Sequence, residues 1–252
     1  MFKMLTPVLC RAALEAGQAI MKVYATDFAV DYKPDDSPLT LADREAHAII
    51  TGILRSEFPE VPVLSEESPE VPERERLSWV RFFLVDPLDG TKEFVKRNGE
   101  FTVNIAMVAK NFPAFGVVYA PLTDELYYGG KDFGSFLKIG DERPLALSTV
   151  KPAARAGHRV VVSRSHAAPE IETYLSTIDV AERINVGSAL KFTMLAKGAA
   201  DLYPRFSPTH EWDTAAGQAV LEGAGGTMTN WDDSPFVYNK ATLLNPGFIA
   251  RA

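Results

Sequence analysis

The decisive stretch of this sequence runs from residue 85 to residue 92 and consists of Val-Asp-Pro-Leu-Asp-Gly-Thr-Lys. It follows a largely apolar run at 80–85, rich in aromatic and β-branched residues, which predicts a buried strand. The Asp-Pro and Asp-Gly pairs are typical of a turn, and a short helix is predicted to follow. Around such a turn Asp86, Asp89 and the carbonyl oxygen of Leu88 can converge on one point. A set of oxygen ligands suits Mg²⁺, Mn²⁺ or Ca²⁺ rather than Zn²⁺.

Each acidic residue that could join this motif also has a possible structural role. Aspartates between a strand and a helix are mostly turn or helix-capping residues, and the motif alone leaves both roles open. Asp43 lies three residues after Thr40, which is capping-box spacing. Glu66 follows a predicted strand at 62–65 but begins an acidic loop. Asp213 lies in the first turn of a predicted helix, where the helix dipole favours a carboxylate.

The composition is typical of a folded globular protein. The 252 residues, of which 46% are hydrophobic and 23% charged, suffice for one large domain or two smaller ones. A formal net charge of −7 argues against binding to nucleic acid, which needs a basic surface. Cys10 is the single cysteine, so no intrachain disulfide can form. The sequence shows neither a convincing signal peptide nor a transmembrane segment, and we expect a cytoplasmic protein.

Residue patterns along the chain predict α+β structure followed by α/β structure. The first helix is expected to have Thr6 as its N-cap and Pro7 at its first position, and a second helix starts after Thr40. Consecutive strands then follow at 101–109, 115–120 and 125–128. In the second half strands and helices alternate, which indicates a largely parallel sheet, at 159–163, 169–178, 183–186, 188–197, 200–203 and 213–222. We predict an N-terminal domain at 1–148, which carries most of these acidic residues, and a C-terminal domain at 149–252, which carries Asp213.

Four separated segments together resemble one known family. They are TLAD at 40–43, SEES at 65–68, DPLDGT at 86–91 and EWDTAAG at 211–217. In this order they resemble the metal-dependent, lithium-sensitive phosphatases that include the inositol monophosphatases and the 3′(2′),5′-bisphosphate nucleotidases. The resemblance covers essentially the whole chain, and LVDPLDGTKEFVKRNGEFTV at 84–103 is most similar to bacterial nucleotidases of the CysQ type. It implies the layered αβαβα sandwich of the inositol monophosphatase and fructose-1,6-bisphosphatase type.

The resemblance also implies a site for two or more Mg²⁺ ions, with Mn²⁺ as a possible substitute. One ion would be held by Glu66, Asp86 and the carbonyl oxygen of Leu88. The other would be held by Asp86, Asp89 and Asp213. A phosphate monoester is anionic and repels hydroxide, so its hydrolysis needs neutralised charge, an activated water and a stabilised leaving group, which two metal ions can supply.

The same resemblance assigns the catalytic and substrate-binding residues. Thr91 and Asp43 would orient the attacking water. A second phosphate, which is not cleaved, would be bound by cations and by N–H groups at a helix start. The implied substrate-binding set is Glu66, Leu88, Asp89, Gly90, Thr91, Arg164, His166, Gly187, Ser188, Lys191, Arg205 and Asp213. Arg164 and His166 are assigned to the nucleotide side, and His166 has a structural role as an equal alternative.

We therefore expect a phosphatase that converts adenosine 3′,5′-bisphosphate to AMP and phosphate, clearing a by-product of sulfate assimilation. The partner is a small nucleotide, and the expected assembly is a monomer or a homodimer. The enzyme is expected in the cytoplasm, either free or peripheral on the cytoplasmic face of the inner membrane. Alternatives are an inositol or sugar monophosphatase with the same metal site, and a protein that binds metal or phosphoester without turnover. A haloacid-dehalogenase-type phosphatase with an aspartyl-phosphate is disfavoured, because two residues rather than one separate Asp86 from Asp89.

Overall fold

The computed structural model describes residues 2–32, 38–149, 156–164 and 169–252. Its helices are α1 (Phe2–Tyr24), α2 (Leu41–Glu57), α3 (Glu73–Arg76), α4 (Thr91–Val95), α5 (Pro169–Leu175), α6 (Leu190–Ala196) and α7 (Glu211–Gly223). Within the four described ranges, none of the helices combines the length and the apolar character that a bilayer span requires.

The strands form two larger sheets and two small antiparallel pairs, β1 with β2 and β13 with β15. In chain order they are β1 (Val30–Tyr32), β2 (Pro38–Thr40), β3 (Val63–Ser65), β4 (Arg81–Asp89), β5 (Thr102–Ala109), β6 (Phe112–Ala120), β7 (Glu125–Gly130), β8 (Gly134–Ile139), β9 (Leu145–Ala146), β10 (His158–Ser163), β11 (Val180–Val186), β12 (Leu202–Arg205), β13 (Thr209–His210), β14 (Thr227–Asn230), β15 (Leu244–Asn245) and β16 (Phe248–Arg251).

The first large sheet is buried on both faces at its centre. Its strand order is β3-β4-β5-β6-β7-β8-β9, with β3 parallel to β4 and the later neighbours antiparallel. Side chains alternate between faces along a strand. Phe83 and Val85 of β4 therefore pack against α1 and α2, while Phe82 and Leu84 pack on the opposite side with α7. The motif that follows these residues thus starts from a rigid central strand.

The second large sheet completes five layers. Its order is β11-β10-β12-β16-β14, and α6 and α7 lie between it and the first sheet. On its outer face Leu175 of α5 packs against Val160, Leu202 and Ile249. The layers are therefore α1 and α2, the first sheet, α6 and α7, the second sheet, and α5. This arrangement confirms the predicted αβαβα sandwich.

Several predicted boundaries were wrong, for identifiable reasons. Helix α1 already includes Phe2, more than a turn before the predicted N-cap, and the Thr6 hydroxyl donates to the Phe2 carbonyl inside it. Pro7 lies inside this helix, about one turn and a half from its start, where it removes the one N–H bond that it would have donated to the carbonyl four residues earlier. Strand β4 continues to Asp89 instead of ending before Asp86. The second sheet is mixed, because β16, which the alternating pattern did not reveal, pairs antiparallel with both β12 and β14.

The two predicted domains share one hydrophobic core. A single cluster contains Phe82 and Leu84 from the first half together with Phe192 and Phe248 from the second. Buried Arg76 adds a polar link, because its guanidinium donates to the side chain of Asn239 and to the carbonyl groups of residues 240 and 241 at 2.7–3.0 Å. The division at residues 148 and 149 stays a prediction.

A partly buried ion pair fastens β10 to the start of β12. Arg159 donates to Asp201 through Nη2 at 2.6 Å, through Nε at 3.2 Å and through its backbone N–H at 2.7 Å. The hydrogen bonds from Arg159 hold the pKa of Asp201 below its usual value. A carboxyl group with a lowered folded pKa stabilises the fold above its unfolded pKa, and this stabilisation is lost as the pH falls through the folded pKa.

We expect Asp201→Asn to lower the free energy of unfolding at neutral pH by about 1 kcal/mol, because the isosteric amide keeps the shape but loses the charge. The difference from the wild type should shrink as the pH falls from neutral to about 3, below the usual Asp pKa. Urea unfolding across this range measures it. Glu172→Gln, which removes an exposed partner of Arg183, is the matched control. A difference that does not change with pH would contradict the assignment.

Candidate active site

A bulge in β4 brings the two aspartates of the motif to the same side of the strand. Asp86 pairs with Asn104 of β5 and Asp89 pairs with Thr102, so three steps along β4 match two steps along β5. In a regular strand, residues three apart point to opposite faces. The extra residue restores the same face. Pro87 lies within this bulge, where its missing N–H costs no ladder hydrogen bond.

Gly90 then turns the chain from β4 into α4. Its φ is +91°, and a Cβ atom built on it would lie 2.9 Å from the Glu100 carbonyl oxygen. Only glycine meets both demands without strain. The turn places Thr91 at the start of α4, directly beside the end of β4.

Asp43 has the capping role and also contacts Thr91. Its Oδ2 accepts hydrogen bonds from the N–H and the hydroxyl of Thr40, at 2.7 and 2.6 Å, which starts α2. Its Oδ1 lies 3.2 Å from the Thr91 hydroxyl, which is also 3.1 Å from the Leu88 carbonyl oxygen. Burial is the main cause that raises the pKa of Asp43. The two interpretations of Asp43 are therefore compatible, because each uses a different oxygen.

Four carboxylates, those of Glu66, Asp86, Asp89 and Asp213, interact electrostatically within the site. Asp86 is 2% exposed, and burial raises its pKa well above the usual value, with repulsion from Glu66, Asp89 and Asp213 as further causes. Burial and the charges of Asp89 and Glu66 likewise raise the pKa of Asp213 well above its usual value. Such mutual repulsion is relieved by a divalent cation among the oxygens.

One oxygen of Asp86 and one oxygen of Asp213 accept hydrogen bonds from backbone N–H groups. Oδ1 of Asp86 accepts from the Leu88 N–H at 3.0 Å, and Oδ2 of Asp213 accepts from the His210 N–H at 2.8 Å. Over the described parts of the chain, no three His, Cys, Asp or Glu side chains are close enough to form a ready-made metal cage. The fit of a metal here rests on the all-oxygen donor set and on the crowded charges, both of which suit Mg²⁺.

A turn at residues 187–189 holds Asp89. Oδ2 of Asp89 accepts hydrogen bonds from the Ser188 hydroxyl and from the Ala189 N–H, each at 2.7 Å. The Gly187 N–H donates instead to Glu100 at 2.8 Å. The predicted role of the Gly187 and Ser188 N–H groups as phosphate donors stays a prediction; here the Gly187 N–H and the neighbouring Ala189 N–H donate to carboxylates of the protein.

One cavity of about 200 Å³ unites most of the predicted site residues, which are Glu66, Asp89, Gly90, Thr91, Gly187, Ser188, Lys191, Arg205 and Asp213. Lys191 is 5% exposed, donates to the Ser188 carbonyl oxygen at 2.6 Å and lies 5.4 Å from the centre of the Tyr203 ring. Burial lowers its pKa to about 8. The cavity is therefore lined both by carboxylates (Glu66, Asp89 and Asp213) and by cations (Lys191 and Arg205), which we call its acidic side and its cationic side.

Arg164 and His166 are the two residues predicted to lie on the nucleotide side of the substrate. Arg164 does not line this cavity; its guanidinium forms a two-pronged ion pair with Glu100, at 2.6 and 2.8 Å. It lies on a neighbouring groove that shares Ser163 and Arg205 with the cavity. His166 lies outside the described residues.

Several polar residues around the site were not predicted from the sequence. Asn104 donates to Asp89 Oδ2 at 3.3 Å, and the hydroxyl of Thr102 lies 2.6 Å from that of Ser188. Both are buried. The sequence contained a signal for Thr102 and Asn104, because two polar residues that lie two positions apart in an otherwise apolar strand share one face. Glu100 lies in a loop and has no comparable signal.

Comparison with known proteins agrees with this geometry. The profile of the inositol monophosphatase family matches residues 2–250. The chain belongs to the inositol monophosphatase family. It is 45% identical to the 3′(2′),5′-bisphosphate nucleotidase CysQ of Escherichia coli (strain K12), over 95% of this chain and 96% of that protein. The crystal structure of CysQ from Bacteroides thetaiotaomicron superimposes with a TM-score of 0.86 and 41% identity, covering 98% of this chain and 97% of that one.

A more distant relative shares the same fold. The suhB protein of Bartonella henselae is 28% identical and superimposes with a TM-score of 0.78, over 98% of this chain and 93% of that one. Membership of the inositol monophosphatase family confirms the family predicted from the four segments. It also decides against the haloacid-dehalogenase-type alternative, which belongs to a different family.

We expect Asp86→Asn to raise the free energy of unfolding by about 1–2 kcal/mol in the presence of a chelator. The amide still accepts from the Leu88 N–H but adds no charge to the buried cluster. Added MgCl₂ should stabilise the wild type more than the variant. Urea unfolding with EDTA and then with MgCl₂ measures both effects, and Asp232→Asn on the surface is the control. Destabilisation of the variant in EDTA would show that the carboxylates do not repel one another as described.

Proposed function

We propose that this chain is a Mg²⁺-dependent 3′(2′),5′-bisphosphate nucleotidase, which hydrolyses adenosine 3′,5′-bisphosphate to AMP and phosphate and so clears a by-product of sulfate assimilation. The observation that carries the proposal is a single cavity lined both by the acids Glu66, Asp89 and Asp213 and by the cations Lys191 and Arg205. The acidic side suits divalent cations, and the cationic side suits a phosphate that is not cleaved. The similarity to CysQ proteins over nearly the whole chain supports this substrate class.

The acidic side would hold the metal ions. We assign Glu66, Asp86 and the Leu88 carbonyl oxygen to one Mg²⁺, and Asp86, Asp89 and Asp213 to another, with Mn²⁺ as a substitute. When bound, these ions supply positive charge that offsets the phosphate ester and acidifies the attacking water. The protein holds the oxygens in place through β4, the turn at 187–189 and the start of α7.

Thr91 and Asp43 would orient the attacking water. If the Thr91 hydroxyl donates its hydrogen to Asp43 Oδ1, the Thr91 oxygen is left to accept a hydrogen bond from the water. Burial raises the pKa of Asp43, which makes its carboxylate a better proton acceptor. The capping bonds to Thr40 fix the carboxylate while Oδ1 contacts Thr91. The pair therefore holds a proton acceptor at a defined position.

The cationic side would bind the second phosphate. Lys191 and Arg205 both line the cavity, and Ser188 links Lys191 to Asp89, because its carbonyl oxygen accepts from the ammonium group while its hydroxyl donates to the carboxylate. Inositol monophosphate would use the same acidic side, but it has no second phosphate for the cationic side to bind. The monomeric or homodimeric state, the cytoplasmic location and the lithium sensitivity stay predictions.

We expect Asp89→Asn to reduce kcat at least about 100-fold with Mg²⁺, because the change removes a charge but little volume. Phosphate release from adenosine 3′,5′-bisphosphate measures activity, circular dichroism checks the fold, and Asp232→Asn is again the control. A fully active Asp89→Asn variant would defeat the proposed metal site. Wild-type protein that binds the bisphosphate tightly and releases no phosphate would support the non-catalytic alternative.

We expect Lys191→Met to raise KM for adenosine 3′,5′-bisphosphate about 10- to 100-fold and to leave KM for inositol monophosphate nearly unchanged. Methionine fills a similar volume without charge. Because lysine is a cation only below its pKa, the wild-type KM for the bisphosphate should rise as the pH increases through about 8, whereas the variant should not respond. Equal effects on both substrates would place the nucleotide phosphate elsewhere.

A further inference from the structure

Glu100 connects the first half of the chain to two segments of the second half. It lies in the loop between α4 and β5, and its Oε2 accepts from the Gly187 N–H and from Arg164 Nε, each at 2.8 Å. Its Oε1 accepts from Arg164 Nη2 at 2.6 Å. The same Arg164 nitrogen donates to the Asn185 carbonyl oxygen at 2.8 Å. One carboxylate thus fastens the ends of β10 and β11 to the loop before β5.

The far end of the same turn holds Asp89. After Gly187, Ser188 adopts a left-handed conformation with φ of +53°, which is unfavourable for a residue with a side chain and persists only where neighbours enforce it. The Ser188 hydroxyl and the Ala189 N–H both donate to Asp89 Oδ2. The hydrogen bonds from Asn104, Ser188 and Ala189 all reach Oδ2 of Asp89, so the turn decides which oxygen of Asp89 is left for a ligand.

We propose that Glu100 is a positioning residue for the divalent-cation site, acting on Asp89 through the turn at residues 187–189. The inference rests on the proposed function in that it takes Asp89 as a metal ligand. Glu100 fixes the first residue of the turn, and the next two residues fix Asp89. Partners that orient a metal ligand typically contribute about 10- to 100-fold to metal affinity.

A substitution at Gly187 provides an independent test of the contact between Glu100 and Gly187. A Cβ atom built on Gly187 would lie 3.1 Å from both Cβ and Oε2 of Glu100, and 3.1 Å from Cγ of Glu93. Contacts this short require the neighbours to move. Gly187→Ala should therefore displace the Glu100 carboxylate without changing its charge.

The test is a titration of full-length protein with Mn²⁺, in which electron paramagnetic resonance measures the free ion. No substrate is needed, so the result does not depend on the identity of the phosphoester. We expect Glu100→Ala to weaken the affected Mn²⁺ site about 10-fold, at the lower end of the range for indirect partners. Gly187→Ala should shift affinity in the same direction. Glu100→Gln keeps an acceptor for the Gly187 N–H and should remain close to the wild type.

Glu57→Ala, which removes the exposed partner of Arg11, is the matched control and should bind Mn²⁺ like the wild type. Circular dichroism establishes that each variant is folded; if Glu100→Ala does not fold, Gly187→Ala and Glu100→Gln decide. Folded Glu100→Ala and Gly187→Ala variants with wild-type affinity would overturn the inference, as would an equal loss in Glu57→Ala. A wild-type protein that binds no Mn²⁺ would instead contradict the proposed metal site.

Discussion

The repulsion among Glu66, Asp86, Asp89 and Asp213 is the constraint on which the rest of the site depends. Buried like charges oppose folding unless other groups compensate them. The chain meets this demand by giving individual carboxylate oxygens to backbone N–H groups and hydroxyls, and by drawing the carboxylates from β4, from the residue after β3 and from the start of α7. The surrounding layers supply the rigidity, because both faces of β4 are packed by helices. Stability and function are therefore in tension at this point of the fold.

Much of the architecture could be predicted because the local signals and the family resemblance agreed. Thr40 caps α2 as its spacing indicated, Thr91 begins α4, and α7 includes Asp213 in its first turn. The capping and ligand interpretations of Asp43 and Asp213 were posed as alternatives from the sequence. In the structure Oδ2 of Asp43 caps α2 while Oδ1 contacts Thr91, and Asp213 accepts its capping bond through Oδ2. A carboxylate that caps a helix through one oxygen can therefore still contact the site through the other.

The remaining features depend on contacts between distant parts of the chain. Strand β16 lies next to β12 although more than forty residues separate them, so alternation along the sequence could not show that the sheet is mixed. Arg164 was assigned to the nucleotide from the resemblance, but its ion pair with Glu100 depends on where two loops meet. Glu100 itself stands in a polar loop, where a carboxylate is unremarkable by composition. Such roles become visible only when the donors around a side chain are known.

The bulge in β4 also explains the spacing of the motif. A regular strand directs every second residue to one face, so two carboxylates that must act together would be separated by a single residue. Here the bulge adds one residue to β4 at Pro87, so Asp86 and Asp89 share a face although two residues separate them. The length of this short stretch is consequently as tightly constrained as its chemistry. If β4 paired with β5 without this bulge, Asp86 and Asp89 would point to opposite faces, even though every functional group was retained.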